Sequence, residues 1–282
     1  MGELQVGIDI GGTKMLLLAK TADGDKSYKI DTGANFSGVD ADRAISDFLQ
    51  ELPSPPSSIG IAVPGLVNHE TGEVVYSDVL PKLDGWLPAV KKESYCPVRV
   101  LNDADAALIE AKHEVGSARN LVLIVVGTAI GASFWVDNQF LRGSQGWAGE
   151  LGSIPLKTGD AIATLDQLAG GSSLLKRVGM DAQQLASLVK QGDAKALAAI
   201  ADAGRSLGLG IATIIHLFNP EVIVLAGGTL AWQGYVEAAL SSAQENTIPA
   251  LWSGCKVHVS THGGLLVVLG AMRAAAELAE NL

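Results

Sequence analysis

Cysteine is nearly absent from this 282-residue sequence, which has only Cys96 and Cys255, far apart. That spacing builds neither a disulfide framework nor a thiolate zinc site, and both residues read as small buried apolar groups of a reducing compartment. Basic charge is also short. Twenty Lys and Arg against thirty Asp and Glu leave a net charge of −10, which argues against a nucleic-acid partner, since phosphates demand a basic face. A phosphorylated small ligand stays open, because backbone amides and Mg²⁺ supply positive potential locally. Long apolar runs are missing too. The most apolar stretch, residues 121–136, is interrupted by Gly127, Thr128, Gly131 and Ser133 and falls short of the roughly 20 residues that span a bilayer. The first residues run into an apolar strand pattern with no signal-peptide features. A soluble, cytoplasmic protein without a membrane partner is the expectation. His113, His216, His258 and His262 lack acidic or thiol partners at ligand spacing, so none of them reads as a metal ligand.

What is abundant is glycine, 33 residues gathered in a few places, the mark of backbone turns close to a ligand. Strands are predicted at residues 4–10, 15–19, 27–31, 59–63, 98–101, 121–126, 132–136, 222–225 and 256–260. Helices are predicted at 41–52 and about 104–114, after the Gly227-Gly228 turn, and from 266 onward. Residues 164–216 carry a continuous helical pattern of Ala and Leu. No repeat of 20–50 residues is present. An apolar hairpin around a Gly/Thr turn does occur twice, near residues 10 and 128. This suggests a duplicated α/β pair with a ligand cleft between the domains: residues 1–103 with a C-terminal helix at about 267–282, and residues 104–266.

Three segments carry candidate phosphate chemistry. In Asp9-Ile-Gly-Gly-Thr-Lys14, Gly11 and Gly12 let backbone N–H groups approach phosphate oxygens. Thr13 donates a hydroxyl and Lys14 a positive charge, and Asp9 holds Mg²⁺ directly or through water. A plain hairpin turn explains the glycines but not the flanking acid and base. Val126-Gly-Thr-Ala-Ile-Gly131 repeats the turn with Gly127, Thr128 and Gly131. The third, Val222-Ile-Val-Leu-Ala-Gly-Gly-Thr229, brings a buried strand to Gly227 and Gly228 ahead of a helix, whose free amides suit an anion or a nucleotide. For the second and third segments, a tight turn is the competing reading.

These segments, together with Ile61-Ala-Val-Pro-Gly-Leu-Val67, Leu101-Asn-Asp-Ala-Asp-Ala-Ala107 and the GxxGxAGELG run at 143–152, stand in the order seen in the ROK family of repressors and sugar kinases. The resemblance spans nearly the whole chain. It implies an α/β protein of the actin-like ATPase (ribonuclease H-like) fold that phosphorylates a hexose or N-acetylhexosamine with ATP and Mg²⁺. Asp103 matches the family's general base; its alternative reading is a helix N-cap, a role that Asn102 and Asp105 fill equally well. Asn102 and Glu150 match sugar-hydroxyl ligands, and Gly65 the turn lining the sugar pocket. Asp166 matches a position where the family has Glu, and reads either as a sugar ligand of shorter reach or as a residue opening a helix. A homodimer is typical of the family.

The sequence also departs from that resemblance. Ser153 stands where the family has a zinc-holding histidine that also touches the sugar, and residues 154–165 contain no cysteine. No zinc site is therefore expected, and Ser153 becomes a short-reach sugar-binding candidate. Three alternatives stay open: polyphosphate as donor, a catalytically weak sugar sensor, and an actin-like ATPase that moves a partner. The first strand is expected by about residue 4, ahead of which the DNA-binding element that the resemblance to ROK repressors would imply does not fit, so direct DNA binding is not the expectation. Asn102, Asp103 and Glu150 together argue against the partner-moving ATPase, which needs no sugar ligands.

Overall fold

The computed structural model describes residues 4–21, 24–93 and 95–280. Residues 1–3, 22–23 and 94 of the expected first domain, and residues 281–282 at the end of the expected C-terminal helix, lie outside the described residues. Two compact units are present: Met1–Glu114 with Leu265–Leu282, and Val115–Gly264.

In the first unit, residues alternate between the two faces of a sheet. Val6, Ile8 and Ile10 of β1 (Gln5–Ile10) and Met15, Leu17 and Ala19 of β2 (Lys14–Thr21) share one cluster with Ile45 and Phe48 of α1 (Gly38–Gln50). The alternate residues Leu16 and Leu18 pack on Val268 and Met272 of the C-terminal helix, Leu266–Glu280. A strand with period two buried on both faces needs a layer on each side. Helix α1 starts at a capping box made by Ser37 and Asp40, which satisfies two helix-end donors. Strand β3 (Gly24–Asp31) is a mostly exposed edge, and β4 (Ser58–Val63) is buried throughout. A small hairpin of β5 (Leu66–Val67) and β6 (Val74–Tyr76) follows, then the short α2 (Ala89–Glu93). Strand β7 (Val98–Asn102) runs straight into α3 (Asp103–Val115). The sheet order is β3-β2-β1-β4-β7, with β1, β4 and β7 parallel and the other pairs antiparallel.

The C-terminal helix lies so close to the sheet that a Cβ on Gly60 would sit 1.8 Å from the Ala271 carbonyl oxygen, and one on Gly7 2.3 Å from that of Val268. Glycine is required at both positions for lack of space. Inside this unit the Arg273 guanidinium forks onto the buried Glu110 carboxylate at 2.8 and 3.3 Å.

The second unit repeats the plan. Its strands are β8 (Leu121–Val126), β9 (Ile130–Val136), β10 (Gln139–Phe140), a separate hairpin of β11 (Pro155–Thr158) and β12 (Ala161–Thr164), then β13 (Val222–Ala226) and β14 (Lys256–Val259). The sheet order is β10-β9-β8-β13-β14, and the two hairpin pairings are again antiparallel while β8, β13 and β14 are parallel.

The helical pattern expected over 164–216 resolves into four helices: α4 (Leu165–Ala169), α5 (Gly171–Val178), α6 (Ala182–Lys190) and α7 (Ala194–Phe218). The breaks have local causes: extended Gly170, left-handed Gly179 at φ +67°, and Asp193, whose side chain caps α7. Helix α7 is long and apolar enough to cross a membrane by length and composition. Its Leu207, Ile211, Ile214 and Ile215 nevertheless share the unit's core with Tyr235 and Ala239 of the next helix.

The helix expected directly after Gly227-Gly228 is replaced by a short 3-10 turn, Gly228–Ala231, and α8 (Tyr235–Glu245) begins only after it. Gly227 at φ +108°, extended Trp232 and left-handed Gly234 turn the chain before a regular helix can start. Helix α9 (Pro249–Gly254) precedes β14.

Candidate active site

In the first unit the candidate residues gather at the carboxyl ends of the parallel strands, where open α/β sheets present ligands. Asp9 on β1 pairs with Ala62 of β4, and Asn102 of β7 pairs with Val63. Asp9 and Asp103 thus flank one intervening strand, about 10 Å apart by strand spacing. Burial, followed by the charge of Asp103, pushes the Asp9 carboxyl up to about 7, and Lys14 partly offsets this. Burial likewise pushes Asp103 up to about 6, against hydrogen bonds from the Ala104 backbone and the Asn102 amide. Two carboxylates destabilised together at a strand edge are the electrostatic mark of a functional site.

The turn from Gly11 to Lys14 is fixed by the Gly11 N–H donating to the Lys14 carbonyl at 2.9 Å, and by the Thr32 hydroxyl donating to the Gly11 carbonyl at 2.6 Å. Neither Gly11 nor Gly12 takes a positive φ. Glycine is needed at residue 12 for space, since a Cβ there would lie 2.4 Å from Val79 Cγ1. Thr13 and Lys14 are exposed.

Asn102 joins two segments. Its Nδ2 donates to the Gly65 carbonyl at 2.8 Å, and its Oδ1 accepts from the Ala104 and Asp105 N–H groups at 2.8 and 3.3 Å. Asn102 therefore caps α3, while Asp103 Oδ1 also accepts from Ala104 N–H at 2.8 Å. Gly65 sits at φ +108°, and a Cβ there would meet the Tyr76 carbonyl at 2.2 Å.

In the second unit the Gly127–Ile130 turn follows β8, and the Gly227-Gly228 turn follows the adjacent β13. The Thr229 hydroxyl ties the two, donating to the Gly127 carbonyl at 2.9 Å. Gly171 N–H donates to the same carbonyl at 2.9 Å, and Ser172 N–H to that of Thr128 at 3.1 Å. Ile130 N–H donates to Asp166 Oδ1 at 2.6 Å.

Glu150, the residue that caps a 3-10 turn at Leu151–Ser153, and Ser153 at the turn's end are exposed, while Gly152 is buried. That turn is anchored by Ala132 N–H donating to the Gly149 carbonyl at 2.9 Å. Gly131 and Gly228 have open space where a Cβ would stand.

Sequence reasoning missed Thr32, Thr229 and the Gly170–Ser172 segment. A hydroxyl next to Gly227-Gly228 and a second Gly-Gly pair were the signals available for the last two. Among the described residues, no group of three or more His, Cys, Asp or Glu stands close enough to hold a metal ion.

The sheet order repeated in both units, with glycine turns at the carboxyl ends of the central strands, defines a protein of the actin-like ATPase fold. The ROK family profile matches residues 5–277, and the chain belongs to the ROK family. A glucokinase from Halalkalibacterium halodurans is 26% identical, over 94% of this chain and 92% of its own length. A xylose repressor from Caldicellulosiruptor bescii is 24% identical over 81% of this chain, which spans 65% of the repressor. The crystal structure of a ROK family glucokinase from Streptomyces griseus in complex with glucose and AMPPNP superposes with a TM-score of 0.80. It is 21% identical, covering 97% of this chain and 99% of that one, and so speaks for the fold alone. Sugar kinases and repressors thus both stand among the chain's relatives.

Proposed function

We propose that the chain is a cytoplasmic sugar kinase that transfers the γ-phosphoryl group of ATP to a hydroxyl of a hexose or N-acetylhexosamine. The observation carrying this reading is the Asp9–Asp103 pair, held at the carboxyl ends of β1 and β7 on either side of β4, with carboxyls raised to about 7 and about 6. A base with a pKa near 6 is ionised at neutral pH yet basic enough to draw a proton from a sugar hydroxyl as the phosphoryl group arrives. Such a base contributes ~10²–10⁴-fold. Asn102 holds Asp103 at the start of α3, and Gly65 is held by the same amide. Glu150 and Ser153, exposed on their turn, are the further candidates for sugar hydroxyls.

Gly11, Gly12, Thr13 and Lys14 would serve the nucleotide phosphates in the first unit, and Gly127, Thr128, Gly131, Gly227 and Gly228 in the second. Asp9 fits Mg²⁺: the cation needs only one or two protein carboxylates beside the phosphates, and it would relieve the repulsion between Asp9 and Asp103. When bound, Mg²⁺ supplies charge neutralisation on the phosphates. The glucokinase relative supports the choice of a sugar as acceptor.

A coupled ADP-release assay with ATP, Mg²⁺ and a panel of hexoses and N-acetylhexosamines tests the proposal. Sugar-dependent release is expected. Asp103→Asn should lower turnover by ~10²–10⁴-fold while sugar affinity by calorimetry stays within a few fold. The acid limb of kcat/KM for the sugar, read at saturating Mg²⁺ and ATP so that Asp9 is held ionised, should lie near the raised Asp103 carboxyl, at about 6. Near-normal activity in Asp103→Asn would remove the base assignment. Sugar binding without turnover would favour a sugar-sensing protein, the reading supported by the xylose repressor relative and the short Ser153 side chain.

A further inference from the structure

Three elements of the second unit meet at one carboxylate. Asp166 opens α4, whose first turn is fixed by the Thr164–Gln167 capping box. Its Oδ1 accepts the Ile130 N–H at 2.6 Å, across 36 residues of sequence, at the point where the Gly127–Ile130 turn enters β9. The 3-10 turn that carries Glu150 and Ser153 lies against the same carboxylate. A Cβ on Gly152 would stand 2.4 Å from Asp166 Oδ1, 2.5 Å from its Cγ and 2.5 Å from the Ile130 carbonyl oxygen. Gly152 has no positive φ, so glycine stands there because Asp166 and Ile130 leave no room for a side chain.

We infer that Asp166 is a positioning residue, a brace that sets the phosphate turn at Gly127–Ile130 and the turn bearing Glu150 and Ser153 in one fixed relation. The inference rests on the kinase reading for what those turns bind, but not for the brace itself. A carboxylate hydrogen bond to a backbone N–H is short and strong for its class, and the bond here stands where the ladder of β9 begins. The same turn is held from its other end by Gly171, Ser172 and Thr229, so Asp166 supplies the restraint on the Ile130 side. A ligand role and a bracing role make opposite demands on the side chain. An amide still accepts the Ile130 N–H through its one oxygen, more weakly than a carboxylate, whereas a sugar hydroxyl donating to the second carboxylate oxygen meets an NH₂ group in the amide and loses its acceptor.

The test compares Asp166→Asn and Asp166→Ala with the wild-type chain, by amide hydrogen exchange at Ile130 and by steady-state KM for sugar and for ATP. In the brace reading, Asp166→Asn keeps Ile130 protection and both KM values within about threefold. Asp166→Ala exchanges Ile130 at least ~10-fold faster and raises the KM for ATP and for sugar together, since both turns shift. Protection of Ile130 unchanged in Asp166→Ala overturns the inference. So does a ~10-fold rise in sugar KM alone in Asp166→Asn with Ile130 still protected, which is the signature of a direct sugar contact. If Asp166→Ala does not fold, Asp166→Asn decides by the same two readouts. If the wild-type chain proves not to be a kinase, the exchange measurement still tests the brace, so the two readings fail separately.

Discussion

Replacing Asp9 by Asn should make the ligand-free protein more stable at neutral pH while it weakens nucleotide binding. The magnitude follows from the site. The Asp9 carboxyl is pushed from 3.8 to about 7, by burial first and by Asp103 second. About three units at ~1.4 kcal/mol each give ~4 kcal/mol as an upper bound. Because Asp9 is half-buried rather than enclosed, ~2 kcal/mol is the working figure. The sign is set by linkage: the folded state holds its proton more tightly than the unfolded chain. The stability of the neutral form is fully present below pH 3.8 and is lost as pH rises to about 7.

Asn is neutral throughout. Urea unfolding followed by circular dichroism should therefore show Asp9→Asn ~2 kcal/mol more stable than wild type at pH 8, with the gap closing near pH 4. The stabilisation that Mg²⁺ and ATP give the wild-type chain should be largely absent from the variant, because binding to the folded state alone is what raises stability. Equal stability of the two proteins at pH 8, or a less stable variant, would refute the claim that Asp9 is held charged at a cost.

Three further outcomes follow from packing. Gly60→Ala puts a methyl 1.8 Å from the Ala271 carbonyl oxygen, and should cost about 3 kcal/mol or prevent folding, read as the loss of the thermal transition. Arg273→Ala removes the fork on the buried Glu110 carboxylate, and should lower stability by about 2–3 kcal/mol, measured by denaturant titration. Exhaustive chelation of the ligand-free protein should leave its melting temperature unchanged. The β11–β12 hairpin is held by four paired positions from Pro155↔Thr164 to Thr158↔Ala161, and Ile154 and Leu156 pack on the core.

The sheets of both units were legible because period-two alternation and short buried runs survive in single sequences: β1, β2, β4, β8 and β13 stand within two residues of where the pattern puts them. The elements that escaped, β5, β6, β10 and the β11–β12 hairpin, are two to four residues long, too short to show a period. The helical stretch at 164–216 read as continuous because Ala and Leu recur through it, and its breaks turn on backbone dihedrals at Gly170 and Gly179 that composition does not encode. At the site, Asp9 and Asp103 stood out as acids at strand ends, whereas their mutual repulsion appears only once β4 is seen to separate them. The glycines at 11 and 12 invited a reading in terms of ligand approach, while Val79, 67 residues on, accounts for the second of them. The contact between Asp166 and Ile130 joins residues 36 apart and has no local signature.

The C-terminal helix has a consequence for how this protein is made. Leu266–Glu280 covers one face of a sheet whose strands come from the first 102 residues, and Gly7 and Gly60 leave that face a groove with no side chains to fill it. During synthesis the first unit's sheet must wait, with Leu16 and Leu18 uncovered, while the whole second unit is translated and folds. The unit that begins first is completed last. A chain cut short before Leu266 contains the whole of the second unit but lacks the helix that covers the first unit's sheet.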